Sequence, residues 1–454
     1  MIAPARQAAC EVLRTVESGR YDLATALAAV RDTLPDARDR ALLTDLATGV
    51  QRWRLTLDFF IHALTGRHVA DLDPEVLASL RLGLYQLQHA SRLPASAIVN
   101  DSVEIVKRGR TRSAAGMVNA VLRRMVRDGA PALPEPPRVP GDDERWREQA
   151  LAYLAVTHSH PRWLVERWLD RFGYEAAEAW VRYDNQPADV TIWPVPGTTA
   201  AQRAVVETAE GTPTRFVPGG RVLARGRDAV PLLNSGEAYA QDEASAAVGV
   251  AAATVAAGLV VDACASPGGK SLAMLPRLPP GSRLVANDLR ARRMALLAAT
   301  MARLPGSRPA LLRSDAEHLP FAGTVDTLLI DAPCSGLGTL RREPDLRWRR
   351  TPADLGRFAA LQRSLIGEAV RALAPGGTLI YATCSGEPEE NEQMIDDLVR
   401  ATPLWTLVDL RQAALPASMA PLVCAPGWLR SWPHAHGLDA FFAAVLRRRA
   451  GTDG

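Results

Sequence analysis

Two cysteines in this 454-residue chain occupy matching positions. Cys334 closes Asp331-Ala-Pro-Cys334, just past the run 325–331, and Cys384 sits in Thr383-Cys384-Ser385, just past the run 378–383. Short runs rich in β-formers and bounded by Pro, Gly and Ser read as buried strands. Each thiol therefore stands at a strand's carboxyl end, and if the strands are neighbours both thiols share one crevice. A thiolate there can form, and later release, a covalent bond to a substrate. A redox pair is the other chemistry open to two such thiols, and it requires a short sulfur–sulfur separation. Single cysteines are more commonly small buried hydrophobes, which is how Cys10 and Cys424 read.

A third strand end carries a different chemistry. Gly258-Leu-Val-Val261 leads into Asp262-Ala-Cys264-Ala265-Ser266-Pro267-Gly268-Gly269-Lys270-Ser271, and a helix-compatible run follows. Strand, tight turn and helix in that order bring backbone and free helix N–H groups close to a ligand, with Gly268 and Gly269 removing side chains that would clash. The stretch has neither the G-x-G-x-x-G nor the Walker A pattern, so it specifies neither a dinucleotide nor a nucleoside triphosphate. Two acids narrow the ligand. Asp288 ends the strand 283–288 and can accept hydrogen bonds from both ribose hydroxyls; Asp315 ends the strand 309–315 and can reach an adenine amino group. With the glycine turn they describe a site for an adenosine-containing cofactor. Of 53 basic residues only Lys107 and Lys270 are lysine; Lys270 therefore stands out, either as a chance survivor of a codon bias towards arginine or as a place where a compact ammonium is needed.

The elements that position these residues follow from periodicity. From Gly258 onward strand and helix alternate, with a long helix from Asp354 to Leu373 and a late strand at 441–446. That is a doubly wound α/β domain with a mainly parallel sheet, over residues 241–450. Residues 145–240 read as a small α+β domain: helical to about 187, then short strands such as 189–193. Residues 129–144 form a linker, with five prolines between 129 and 141 that no helix or central strand tolerates. Residues 1–128 are all helix, in a bundle whose apolar stripes recur at helical spacing. Arg108, Arg110, Arg112, Arg123, Arg124 and Arg127 cluster near its end and suit RNA phosphates.

Composition excludes several classes. At 47% hydrophobic and 23% charged the chain is an ordinary globular protein. No apolar run is long enough to span a membrane, no secretory leader opens it, and five cysteines without metal-ligand spacing suggest neither a disulfide framework nor a metal. A cytoplasmic protein is expected, with a net charge of only +3.

Motif by motif, the chain resembles known families. Asp39-Arg40-Ala-Leu-Leu43, Arg81-Leu-Gly-Leu-Tyr-Gln-Leu87 and Val118-Asn119-Ala-Val-Leu-Arg-Arg124 are similar to the NusB-type RNA-binding bundle. The glycine turn, Asp331-Ala-Pro-Cys334, Thr383-Cys384-Ser385 and Glu390-Asn391-Glu392 resemble the RNA 5-methylcytosine methyltransferases that use S-adenosylmethionine. Gln241-Asp242-Glu243-Ala-Ser245, Arg342-Glu-Pro-Asp345 and His436-Gly-Leu-Asp-Ala-Phe-Phe442 fit the same family. A NusB-like bundle in front of such a domain resembles the RsmB (Sun/Fmu) enzymes, which methylate a cytosine of bacterial 16S ribosomal RNA. The resemblance implies a class I, Rossmann-like methyltransferase domain. It implies Cys384 as nucleophile, Cys334 as release partner, Asp331 on the cytosine edge, and Cys264 through Lys270, Asp288, Asp315 and Asp331 around the cofactor. It also implies ribosomal RNA as partner, with no DNA, and a monomer is expected. Transfer RNA as substrate, or an RNA-binding factor with an inactive methyltransferase body, are the alternatives. Ser266 and Ser271 replace the family's usual Ala and Thr, Ile192-Trp193-Pro194 replaces a basic Arg-x-Asn, and His436-Gly-Leu-Asp-Ala440 replaces His-Gly-Thr-Asp-Gly. The strip Arg341, Arg342, Arg347, Trp348, Arg349 and Arg350 is expected to contact RNA.

Overall fold

The computed structural model describes residues 2–90, 93–137, 141, 143–224, 226–306 and 308–450, the Arg227 side chain excepted. Of the proline-rich linker, residues 138–140 and 142 lie outside these. The chain divides into two compact units, one of residues 1–186 with 340–350, the other of 187–339 with 351–454. This differs from the expected boundaries. Helices Glu144–Ala152, Arg162–Phe172 and Tyr174–Asp184 belong with the helical unit, and only the short strands after 187 belong with the catalytic sheet.

In the helical unit the first seven α-helices run from Pro4–Glu17 to Ala115–Asp128. Their starts are written locally: Asp22 accepts from Thr25 N, Asp36 from Arg38 N, and Asp73, ahead of Pro74, from Glu75 N, each satisfying an otherwise orphaned donor. Leu43, Leu46, Leu57, Phe60, Leu80, Leu84, Val118 and Leu122 form one core. Gly83 lets two helices meet, since a Cβ there would lie 2.8 Å from Leu122. Arg81 is buried and pairs with Asp58 at 2.6 Å and Glu17 at 3.0 Å, so this cation of the Arg81–Leu87 motif is structural. Residues 340–350 complete the unit. The Trp348 indole donates to Gln51 O at 2.7 Å. Arg347, fully buried, donates to Ser159 O at 2.9 Å, Asn185 Oδ1 at 3.1 Å and Arg52 O at 3.3 Å. The expected RNA contact is therefore corrected for Arg347, whose guanidinium saturates buried oxygens that would otherwise go unpaired.

The second unit begins with a small antiparallel sheet, order β2-β3-β1-β4, made of β1 (Val190–Pro194), β2 (Thr212–Pro213), β3 (Arg221–Leu223) and β4 (Ala238–Ala240). The large sheet follows: β5 (Leu259–Asp262), β6 (Arg283–Asn287), β7 (Ala310–Leu312), β8 (Val325–Asp331), β9 (Leu373–Thr383), β10 (Trp405–Val408), β11 (Val423–Cys424), β12 (Trp428–Ser431) and β13 (Phe441–Arg448). Its order is β11-β12-β13-β9-β8-β5-β6-β7, with β10 also paired to β13. From β7 to β9 every pair is parallel; β13 runs antiparallel to β9. Apolar clusters cover both faces, Val260, Ala286, Leu329 and Ile380 in one and Val261, Leu328, Ile330 and Leu379 in the other, as a doubly wound sheet requires. Strand order reverses between β5 and β8, which is where such sheets open a crevice at their carboxyl ends.

Candidate active site

Every sequence-predicted site residue of the catalytic unit lies at that carboxyl edge. After β5 the chain turns through Ala263–Gly268 into the helix Gly269–Met274. Gly268 has φ 113°, and a Cβ on it would come within 2.9 Å of Met301 Cε, so only glycine makes this turn without strain. The Ser266–Pro267 peptide is cis. Asp288, nearly buried after β6, accepts from Ser266 N at 3.3 Å and from Arg293 Nε at 2.9 Å, while Arg293 also donates to Ser266 O at 2.7 Å. The acid is thereby fixed to the glycine turn. Asn287, not singled out by sequence, ties three strand ends together: its amide donates to Ala263 O and Ser314 O and accepts from Ser314 N and Oγ. Asp315, after β7, is partly exposed and accepts from Glu317 N; it retains acceptor capacity for an outside donor. Cys264 is half-buried, and burial pushes its thiol far up, so it lines the turn as an inert group.

Adenosine chemistry asks for carboxylates near ribose hydroxyls, acceptor capacity near an exocyclic amine, and close backbone. Asp288, Asp315 and the glycine turn meet those demands side by side.

Across the crevice Lys270 Nζ donates to Asp331 Oδ2 at 2.6 Å and lies 5.1 Å from the centre of the Phe441 ring. The Lys270 side chain is only 10% exposed. Burial pulls its pKa down, but the charge and hydrogen bond of Asp331, then Cys384 and Asp262, outweigh this and raise it, so the ammonium stays charged. Asp262, fully buried, accepts from Ser271 Oγ at 2.6 Å, and burial raises its carboxyl to about 7.

Neighbouring strands β8 and β9 bring the two thiols together. Cys334 Sγ and Cys384 Sγ stand 3.3 Å apart, both as free thiols. That is a hydrogen-bond separation, well beyond the roughly 2.05 Å of a disulfide. Proximity alone suits a redox pair as well as covalent catalysis; the charged pair Lys270–Asp331 and the two acids at the same edge favour a site built around a ligand. Gly338 permits the return of the chain, since its Cβ would lie 2.1 Å from Ala440 O. Glu390, whose motif the sequence flagged without a role, ties both cysteine loops to one carboxylate. It accepts from Ser335 N at 2.8 Å, Ser335 Oγ at 2.5 Å, Ser385 Oγ at 2.6 Å and Gln362 Nε2 at 3.1 Å.

A family description, 16S rRNA methyltransferase RsmB/F, matches residues 252–447, and the NusB family matches residues 3–127. The chain is 36% identical to a putative methyltransferase of Mycobacterium tuberculosis, over 98% of this chain and 96% of the relative. It is 30% identical to the probable ribosomal RNA small subunit methyltransferase B of Bacillus subtilis, over 91% of each. The chain belongs to the RsmB/F methyltransferase family. Solved structures agree on the fold. The crystal structure of PH0851 aligns over 99% of both chains, with 24% identity and a TM-score of 0.77. NSun6 from Pyrococcus horikoshii with SFG aligns over 63% of this chain and 98% of that one, with 19% identity and a TM-score of 0.53. The NusB match precedes the methyltransferase match along the chain. In the helical unit the six clustered arginines are all exposed. A cleft of about 700 Å³ between helices Ala95–Arg108 and Ala115–Asp128 is lined by Lys107, Arg123, Arg127, Asn100 and Asn119 over Val99 and Val103. Among the described residues, no helix is long and apolar enough to cross a membrane and no His/Cys/Asp/Glu group could hold a metal ion.

Proposed function

We propose that the chain transfers a methyl group from S-adenosylmethionine to C5 of a cytosine in 16S ribosomal RNA, through a covalent bond between Cys384 Sγ and cytosine C6. The observation that carries this reading is the pair of thiols 3.3 Å apart at the ends of β8 and β9, on the same edge as the Lys270–Asp331 pair. Family membership and the names of the relatives support ribosomal RNA as the substrate class.

Cytosine C5 is a poor nucleophile. Addition of the Cys384 thiolate at C6 moves the C5–C6 electron pair onto C5, which becomes enamine-like and able to take a methyl group. S-adenosylmethionine supplies that methyl group when bound. A second group must then take the C5 proton, which returns its electron pair to the C5–C6 bond and expels the Cys384 sulfur, with Cys334 assisting release. Asp331, as a carboxylate, accepts a hydrogen bond at the N3–N4 edge of the base, and Lys270 holds it in place. Cys264, Ala265, Ser266, Pro267, Gly268, Gly269 and Lys270, with Asp288, Asp315 and Asp331, surround the cofactor; Asp288 takes the ribose hydroxyls. The target base must leave its stack to reach the crevice. The exposed arginines of the helical unit suit RNA phosphates.

Bisulfite sequencing of ribosomal RNA from cells with and without the gene tests the substrate. One 5-methylcytosine of the small-subunit RNA is expected to vanish; an unchanged 16S map with a lost transfer-RNA signal would move the activity to transfer RNA. Cys384→Ala is expected to abolish methylation while S-adenosylmethionine still binds by calorimetry, and methylation surviving that change would sink the nucleophile assignment.

A further inference from the structure

The two thiols are held against each other by more than their own contact. Ser335 and Ser385 directly follow Cys334 and Cys384, and their hydroxyls stand 3.1 Å apart. Both hydroxyls donate to the one buried carboxylate of Glu390, which also accepts from Ser335 N. Before the cysteines, Ala332 N donates to Ala382 O at 2.8 Å; after them, Gly338 N donates to Cys384 O at 3.0 Å. The loops are thus fastened on both sides of the sulfurs, and neither sulfur can drift from the other. Both thiols are half-buried, within reach of a small solute. Attack on a base and release from it each need a sulfur facing the base. A clamp that presses sulfur to sulfur has a second consequence. The separation is 3.3 Å, and reaching a disulfide's length is a closure of about 1.2 Å, which small rotations about the two Cα–Cβ bonds supply while the backbone stays clamped.

We propose that Cys334 and Cys384 are a site of reversible oxidation: a hydroperoxide joins them as a disulfide, which switches methyl transfer off until a small thiol reduces it. The loss of methyl transfer rests on the reading of Cys384 as nucleophile; the bond itself does not. In the first step the thiolate of either residue attacks one peroxide oxygen and breaks the O–O bond. That sulfur becomes a sulfenic acid, S–OH, and the other oxygen leaves as hydroxide and is protonated to water. The second sulfur then attacks the sulfenic sulfur. The S–S bond forms, the S–OH bond breaks, and the departing hydroxide takes the second thiol's proton and leaves as water. Two thiols have given two electrons to one peroxide. Which sulfur reacts first is immaterial, because each finds the other at the same distance. Reduction runs by thiol–disulfide exchange with two molecules of an external thiol. The neighbour also limits damage. A sulfenic acid with no thiol beside it is oxidised on to sulfinic acid, which thiols do not return; here the second sulfur captures it first.

The test uses the full-length protein and hydrogen peroxide. After a brief exposure, free thiols are alkylated without reductant and the peptides are read by mass spectrometry. The dose is raised until the exposed Cys424 is measurably oxidised, so that an unreacted pair cannot be put down to too little oxidant. Wild type is expected to yield a Cys334–Cys384 cross-linked peptide and to lose RNA methylation in step with it, and dithiothreitol should reverse both. In Cys334→Ala the same dose should raise sulfinic acid at Cys384 severalfold over wild type, since no second sulfur stands by to capture the sulfenic acid. The proposal is overturned if Cys424 is oxidised while Cys334 and Cys384 stay free, if the bond forms and methylation continues, or if dithiothreitol fails to open it. Equal sulfinic acid at Cys384 in the two proteins would overturn the protective part. Failure of the nucleophile reading is separate: it would show as methylation by reduced Cys384→Ala, whatever becomes of the bond.

Discussion

Asp262 makes the catalytic unit's stability depend on pH in an unusual direction. Its carboxyl is fully buried at the end of β5 and sits at about 7, raised from 3.8 chiefly by loss of hydration. A carboxyl whose folded pKa exceeds its unfolded value binds more protons when folded. The stability it contributes is complete below 3.8 and is lost as pH rises through 7. The full span is about 4 kcal/mol, and the part lost between about pH 5.5 and 8 is about 2 kcal/mol. Asp262→Asn removes the titration and keeps an oxygen to accept from Ser271 Oγ, which lies 2.6 Å away. The assay is urea unfolding of both proteins at the two pH values, following the transition that S-adenosylhomocysteine shifts in wild type. Relative to wild type, the variant should gain about 2 kcal/mol on going from the lower pH to the higher. A difference constant to within about 0.5 kcal/mol, or one that moves the other way, would refute the assignment of a proton to Asp262 in the folded state.

Other consequences concern single side chains. Lys270→Arg places a larger, planar cation in a site only 10% exposed and 2.6 Å from Asp331; methylation should fall about tenfold or more, equivalent to about 1.4 kcal/mol of barrier, in a steady-state assay with saturating cofactor. Cys334→Ala should accumulate a covalent protein–RNA species that resists denaturing electrophoresis, because release is slowed while attack is intact. Arg347→Ala strips the donors from a set of buried carbonyls and should cost the helical unit about 3–5 kcal/mol, seen as an earlier thermal transition. An arginine whose task was phosphate contact would instead weaken RNA binding and flatten its salt dependence with melting unchanged.

The chemistry was legible in sequence because it sits at strand ends. Asp288, Asp315, Asp331, Cys334 and Cys384 each close a β-rich run, and a parallel sheet aligns such ends whatever lies between them. Three things were not legible. Charge type did not reveal burial: Arg347 reads as one more cation in an Arg-rich strip, yet it is enclosed by carbonyls supplied from residues 52, 159 and 184–185, more than a hundred positions upstream. Helical periodicity placed residues 145–184 in helices but could not say which core they join. Glu390 was visible as part of a motif, and its place became clear only when Ser335 and Ser385, fifty positions apart, were found on the same carboxylate.

The borrowed segment 340–350 has a consequence for biogenesis. A nascent chain emerges from its amino end, so residues 1–186 are free to fold long before residue 340 is made. Until then Ser159 O and the carbonyls near it lack the guanidinium that saturates them. The helical unit must wait, incomplete, through synthesis of roughly a third of the polypeptide, and a fragment cut at residue 186 would be born permanently without its plug. Anyone isolating this helical unit should supply the eleven residues as a peptide or a circular permutant, and should see its melting temperature rise when they dock.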